Sequence, residues 1–269
     1  MFPQALSRSP AGNNVWDDYA TRTGSVIGND GLWYLLYTGC RRSEEGSIQR
    51  IGLATSTDLL HWEKYPANPI LNADARWYEQ LDRRLWYDQA WRDPWIFQHP
   101  DTGDFHAFIT ARANHGPADE RGVIGHVRAI DLVSWEVLPP LTEPGDFGPL
   151  EVPQLTRIGN RYYLLFSTVA GTTSARRMQR IAQPAVSGTH YLVADQPLGP
   201  FHYLTDEFLI GNPIMRCYAG KLVKGPNGEW QLMAWIESTP AGFFAGEISD
   251  PLPVFVDSAD RLSLAKLQS

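Results

Sequence analysis

Cysteine is scarce in this chain. Cys40 and Cys217 are the two thiols in 269 residues. Two cysteines build no disulfide framework and stand at no metal-binding spacing, so they read as free thiols. The seven histidines are scattered without His-x-x-x-His or similar ligand spacing, and neither a catalytic metal nor a cofactor is expected. No apolar run approaches the ~20 residues of a membrane helix. Met1 to Arg8 shows no basic-then-apolar leader, so the expectation is a cytoplasmic chain without a membrane partner. An excess of basic charge is also lacking. The net charge is −7 with both signs interspersed, which argues against a nucleic-acid groove. Helical periodicity is nearly absent. Ala175 to Ala182 can form a turn or two before Pro184 ends it, and the insertion Asn72 to Ala90 can be partly helical.

Aromatic residues are plentiful, with ten Trp, eleven Tyr and eleven Phe. Trp and Tyr combine apolar area with a polar handle and suit both a wide all-β core and the faces of sugar rings. About half of the tryptophans read as core.

After a polar, turn-rich lead-in over residues 1–15, residues 16–269 read as one domain of repeated short strands. Gly24 to Ile27, the turn Asn29-Asp30-Gly31, Leu32 to Tyr37, Gln49 to Ser56 and a strand from His61 form the first unit. The second runs Asp93 to Phe97, the turn Asp101-Thr102-Gly103, Phe105 to Ile109, Val123 to Arg128 and Ser134 to Val137. Asp-Leu-x-x-Trp occurs in both, at Asp58–Trp62 and Asp131–Trp135, where the aspartates read as turn caps. A third unit takes Val152 to Leu155, Arg161 to Phe166, Thr189 to Val193 and Phe201 to Tyr203. The fourth takes Tyr218 to Leu222, the turn Pro226-Asn227-Gly228, Trp230 to Trp235 and Gly242 to Gly246. Four copies of a four-stranded antiparallel unit predict an all-β fold, the β-propeller.

In a propeller the first strand of each blade lines the central channel, so residues at the starts of those strands converge. Here they are Thr23 and Ser25, then Trp91-Arg92-Asp93-Pro94, then Glu151-Val152-Pro153-Gln154, then Tyr218, with Trp235 on the following strand. Two acids, Asp93 and Glu151, are expected at matching positions, facing each other across a sugar-binding funnel that the Asn72–Ala90 insertion can roof. Glycoside cleavage needs a proton donor to the leaving oxygen and a second carboxylate to supply or activate the nucleophile. The plain alternatives are a salt-bridged strand entry for Arg92-Asp93 and a surface glutamate at Glu151.

These motifs resemble glycoside hydrolase family 32, the five-bladed invertase, levanase and inulinase group, and more distantly families 68 and 43. The likeness rests on Thr23-Gly24-Ser25 with Trp33 to Gly39, and on Gln49 to Ser56 with Asp58-Leu59, Trp62-Glu63-Lys64 and Asn68-Pro69. Arg92-Asp93-Pro94, Glu151-Val152-Pro153, Tyr218-Ala219 and Trp235 complete it, over roughly residues 16 to 256. The resemblance implies an enzyme hydrolysing β-fructofuranosides. Glu151 would be the acid/base, and Asp93 the aspartate gripping two hydroxyls of the fructosyl ring, with Arg92 orienting it. It implies substrate contacts for Trp91, Thr23, Ser25, Gln154, Tyr218 and Trp235. The family's nucleophile lies in a first-blade Trp-x-Asn-Asp-Pro type motif that this chain does not show. Asp17 and Asp18, after Trp16, are the substitute candidates.

Four repeats where the family has five suggest a missing first blade. A further copy of the chain could cover the edge left open. The competing readings are a non-catalytic or truncated glycan-binding propeller, an inverting arabinofuranosidase or xylosidase type, and a protein-interaction scaffold.

Overall fold

The computed structural model describes residues 16–181, 183–212, 217–239 and 243–265. The lead-in 1–15, together with Ala182 and Gly242 named above, lies outside them. The chain divides into two compact units, one up to Pro144 and one from Gly145.

The first unit holds two antiparallel sheets. One runs β1 (Ala20–Asn29), β2 (Leu32–Cys40), β3 (Gln49–Ser56) and β4 (Glu63–Lys64), in that order. The other runs β5 (Trp91–Gln98), β6 (Phe105–Arg112), β7 (Gly122–Ala129) and β8 (Trp135–Leu138). Each strand pairs with its sequence neighbour, so short turns suffice. Asp30 and Gly31 close the β1–β2 hairpin with φ of 49° and 79°. These left-handed values are what a two-residue hairpin requires, and Asp-Gly is a sequence that supplies them.

The repeated Asp-Leu-x-x-Trp is one turn built twice. Asp58 accepts from the backbone N–H of Leu60 and His61, and Asp131 from those of Val133 and Ser134. Leu59 and Leu132 stand at φ 63° and 64°, and the indoles of Trp62 and Trp135 donate back to their carbonyls. Asn68 braces the first sheet by bonding both backbone groups of Leu53 at 2.8 Å.

The core of the first unit gathers Leu36, Ile51 and Leu53 with Trp91, Ile109, Val127 and Tyr78. Each such fully buried side chain contributes about 1.5–3 kcal/mol. Trp91 packs on Tyr78 with ring centroids 4.7 Å apart, and Gly125 leaves room for it, since a Cβ there would meet the indole at 3.0 Å. The segment 72–90 contains no helix. It is a strap pinned by isolated bridges, Ile48 to Gln89 and Tyr78 to Ala113, with its backbone held to the neighbouring loops. Its alternation of aromatic, basic and acidic side chains satisfies those loops rather than any helical face.

The second unit also holds two sheets. The first is β9 (Glu151–Ile158), β10 (Arg161–Thr168), β11 (Ser187–Ala194) and β12 (Ile210–Asn212), with helix α1 (Ala175–Arg180) between β10 and β11. Ser174 caps α1 by accepting from the Arg177 N–H. The fourth strand is Ile210–Asn212. The segment expected there, Phe201 to Tyr203, contributes only the bridge of His202 to Val193.

The last sheet is β13 (Cys217–Lys224), β14 (Trp230–Ser238), β15 (Phe244–Ile248), β16 (Leu252–Val256) and β17 (Leu262–Leu264). β15 and β16 pair with successive stretches of β14, so they act as one third strand broken between Ile248 and Leu252. Asp250-Pro251 sits in the break, as befits a residue without an N–H to give. The core of this unit gathers Tyr163, Leu165, Tyr191, Val193, Leu222 and Leu232. No helix among the described residues is long and apolar enough to cross a membrane.

Candidate active site

The first strand of every sheet carries the same irregularity. Its register shifts so that two residues oppose one: Arg22-Thr23, Asp93-Pro94, Val152-Pro153 and Ala219-Gly220. Such a bulge re-aims side chains and leaves one residue out of the ladder, which is why proline or glycine fits its second place. In three sheets the first bulged residue is left-handed: Asp93 at φ 57°, Val152 at 51° and Ala219 at 50°. The two acids therefore do not hold matching positions. Asp93 is itself the left-handed residue, whereas Glu151 precedes one, at the place taken by Arg92 and Tyr218 in the other sheets.

In the first unit the bulge seats Asp93 among polar groups of three strands. The carboxylate accepts from Thr23 and, at 2.9 Å, from Thr110, and its own N–H donates to Thr38 Oγ1. Arg92 Nε lies 3.6 Å from it. The same guanidinium donates to Asp88 at 3.0 Å and to Gln49 at 2.9 Å, while the Gln49 amide donates to Asp88. Asp88, Gln49, Arg92 and Asp93 are all buried. The cation between two carboxylates offsets the cost of removing them from water. What results is a hydrogen-bond acceptor of fixed direction.

In the second unit Glu151 opens β9 and is half-buried. The Tyr218 hydroxyl donates to it. Lys221 Nζ bonds the carbonyls of Val152 and Pro153 at 2.8 and 2.9 Å and so fixes the bulge behind the carboxyl. Trp235 is the cross-strand partner of Tyr218, and its ring lies 6.3 Å from that of Phe244.

Several expected contacts serve the scaffold instead. Trp91 is fully buried in the core, so it cannot touch a substrate. Gln154 spends both ends of its amide on the backbone of Leu222. Ser25 accepts from the Ile96 N–H and ties β1 to β5.

Asp17 lies on the opposite face of β2 from the Asp93 cluster. Thr38 points to Asp93, while Tyr37 and Gly39, its neighbours in the strand, face Trp16 and Asp17. There Asp17 pairs with Lys64 at 2.7 Å and accepts from Tyr37, whose phenol is pushed far up by burial and by that charge. Asp18 accepts from the Arg42 N–H and is exposed. Neither joins Asp93.

Sequence reasoning missed Thr38, Thr110, Gln49 and Asp88. The threonines give no signal outside the strand register. Asp88 had one, standing four residues before Arg92. Among the described residues no group of His, Cys, Asp and Glu could hold a metal ion.

Comparison with solved structures gives the same architecture. An inulosucrase from Halalkalicoccus jeotgali, bound to kestose, superposes with a TM-score of 0.76 at 20% identity, covering 91% of this chain and 70% of that one. Bacillus subtilis levansucrase gives 0.70 at 14%, over 92% and 68%. The family 32 β-fructofuranosidase of Bombyx mori gives 0.62 at 21%, covering 91% of this chain and 50% of its own length. This chain thus spans half to about two thirds of these relatives. At such identities the likeness shows the fold, a β-propeller. A comparison with curated proteins finds no match. The family described as glycosyl hydrolases family 32 N-terminal domain matches residues 11–242. That match takes in both bulges and their acids, and the chain belongs to this family of enzymes that hydrolyse O-glycosyl bonds.

Proposed function

We propose that the chain acts on β-fructofuranosides, with Glu151 as proton donor and Asp93 as the anchor of the fructosyl ring. The observation that carries this is the pair of bulges. One holds a buried carboxylate against Arg92, Thr23 and Thr110, and the other holds a half-buried glutamate against Tyr218. Family membership supports the hydrolytic class. The sugar-bound relatives support the substrate class, since one neighbour holds kestose and a variant of the silkworm enzyme holds sucrose.

In this reading Glu151 gives its carboxyl proton to the glycosidic oxygen as the bond to the anomeric carbon breaks, and water then adds to that carbon and returns a proton to Glu151, releasing fructose. Positive charge grows on the ring as the bond breaks, and the Asp93 carboxylate, held in place by Thr23, Thr110 and Arg92, strengthens its hydroxyl bonds as it does so.

A second reading is sugar binding without turnover. It is favoured by Asp17, which sits on the far face of β2 in an ion pair with Lys64. Asp88, which pairs with Arg92 at 3.0 Å, also accepts from Gln49 and is already engaged.

The test is release of fructose from sucrose and kestose by the wild-type protein and by Glu151→Gln, with calorimetric binding alongside. Turnover that Glu151→Gln abolishes while binding persists supports the first reading. Binding without turnover in the wild type supports the second. Absence of both defeats both.

A further inference from the structure

The second unit holds a cleft of about 540 Å3 to which Glu151 does not contribute. It is lined by α1 and by the segment from Thr205 to Phe208. Cross-strand pairing sets its distance from the acid. Glu151 stands opposite Ser167, Ser167 opposite Thr189, and Thr189 opposite Ile210, whose neighbour Gly211 lines the cleft. Three strand spacings of ~4.8 Å put it roughly 14 Å from the start of β9. A sugar ring held at Glu151 does not reach it.

The walls are braced, and their charges cancel. Arg177 is fully buried, and its guanidinium bonds Asp146 at 3.0 Å, Asp206 at 3.3 Å and the Asp206 carbonyl at 2.9 Å. Arg180 bonds the same two carboxylates, at 2.7 Å and 2.9 Å. Among the lining residues two arginines thus stand against two acids, Asp206 and Glu207, so an ion gains no net attraction there. Two lining groups keep unused hydrogen-bonding capacity. Arg177 Nε–H and Thr173 Oγ1 are buried and have no partner among the described residues. A buried donor without an acceptor is costly, and a ligand oxygen relieves that cost. Glu207 is exposed and offers an acceptor. Phe208 is half-buried, its ring centroid 4.9 Å from that of His190 and 6.1 Å from that of Phe147.

We propose that this cleft is a second saccharide site, which holds an uncharged sugar and breaks no bond in it. Thr173 and Arg177 donate to sugar oxygens, Glu207 accepts from a hydroxyl, and an apolar C–H face of the sugar lies on Phe208. The volume falls in the range that encloses a small organic ligand. Glycoside cleavage needs two working carboxyl groups, and here Asp206 is held by both arginines, which leaves Glu207 alone.

The site stands on the cleft and not on the fructosyl reading of Asp93. Calorimetry with glucose, sucrose and kestose is run on Asp93→Asn protein, so that a fructosyl site does not contribute. At least one of the three binds with a Kd on the order of 1 mM. Adding Glu207→Ala weakens that binding about tenfold and adding Thr173→Val about fivefold, the usual sizes for one hydrogen bond to a charged and to a neutral group. Glu207 is exposed and valine matches threonine in shape, so melting temperatures hold. If Asp93→Asn protein does not fold, Glu151→Gln protein takes its place, and the binding sensitive to Glu207→Ala is the one that counts. Absence of sugar binding overturns the proposal. Binding that neither Glu207→Ala nor Thr173→Val alters also overturns it, as does tighter binding of glucose 6-phosphate than of glucose. Absence of fructose release by the wild type defeats the fructosyl reading instead and leaves binding in this cleft in place.

Discussion

The bulge in β5 and the bulge in β9 share a backbone and differ in where the acid stands. In β5 the left-handed residue is Asp93, and it is buried with partners on three strands. In β9 it is Val152, and the acid comes one residue earlier, half-buried beside a tyrosine hydroxyl. Aspartate tolerates left-handed backbone far better than valine, because its short polar side chain can bond locally. The β5 bulge therefore suits its residue, while the β9 bulge imposes strain on a β-branched one. One acid is enclosed by partners on three strands, and the other is held more openly.

The comparison breaks most visibly in kinetics. Glu151→Gln should lower turnover about 10²–10⁴-fold, the usual contribution of a general acid, while sugar affinity holds. Asp93→Asn keeps the left-handed fit and the fold but loses affinity and turnover together. If both variants show the same pattern, the division of roles is wrong.

Removing a partner from the far face of β2 acts on stability instead. Lys64→Met leaves Asp17 buried without its cation and should cost about 3 kcal/mol in denaturant unfolding. Asp17→Asn should retain turnover within a few-fold. Loss as large as that of Glu151→Gln would return Asp17 to the candidate nucleophiles.

Acid acts on both units through buried histidines. Burial holds His106 down at about 4 and His126 at about 3, and the two rings share a hydrogen bond of 2.8 Å. Both stay neutral in the folded state while the unfolded chain takes up protons below about 6.5. Their contribution is complete above that pH and is lost as pH falls toward 4, by about 1.4 kcal/mol per unit for each histidine. In the second unit His190 behaves likewise, held at about 3 by burial. Thermal melts from pH 7 to 4.5 should fall steeply below pH 6, and His106→Phe with His126→Phe should flatten that slope.

The smallest effect concerns strain. Val152→Gly should stabilise the second unit by up to about 1 kcal/mol, relief of the left-handed valine exceeding the entropy cost of glycine. The equivalent Asp93→Gly should destabilise, since it removes the side chain that Thr23, Thr110 and Arg92 hold.

Strand repeats, the Asp-Gly hairpin and the twin Asp-Leu-x-x-Trp turns were legible from residue order, because each depends on neighbours a few positions apart. Arg92-Asp93-Pro94 and Glu151-Val152-Pro153 were legible as strand entries carrying an acid, since an acid beside a proline at a strand start is a local signal. Trp91, Gln154 and the strap 72–90 were among the features that misled. Trp91 looked like a sugar contact until Tyr78 and the space over Gly125 enclosed it. Gln154 looked free until the backbone of Leu222 took both ends of its amide. The strap 72–90 looked partly helical until bridges from Ile48 and Ala113 pinned it as loop.

The sequence by itself determined the all-β repeats and the turns between strands, both encoded within short windows. Only the tertiary structure decided that the acids stand one position apart relative to their two separate bulges, in β5 and β9. It alone placed Asp17 behind β2. These depend on register and on which face of a strand is covered, and a one-residue shift, invisible in composition or spacing, reverses both.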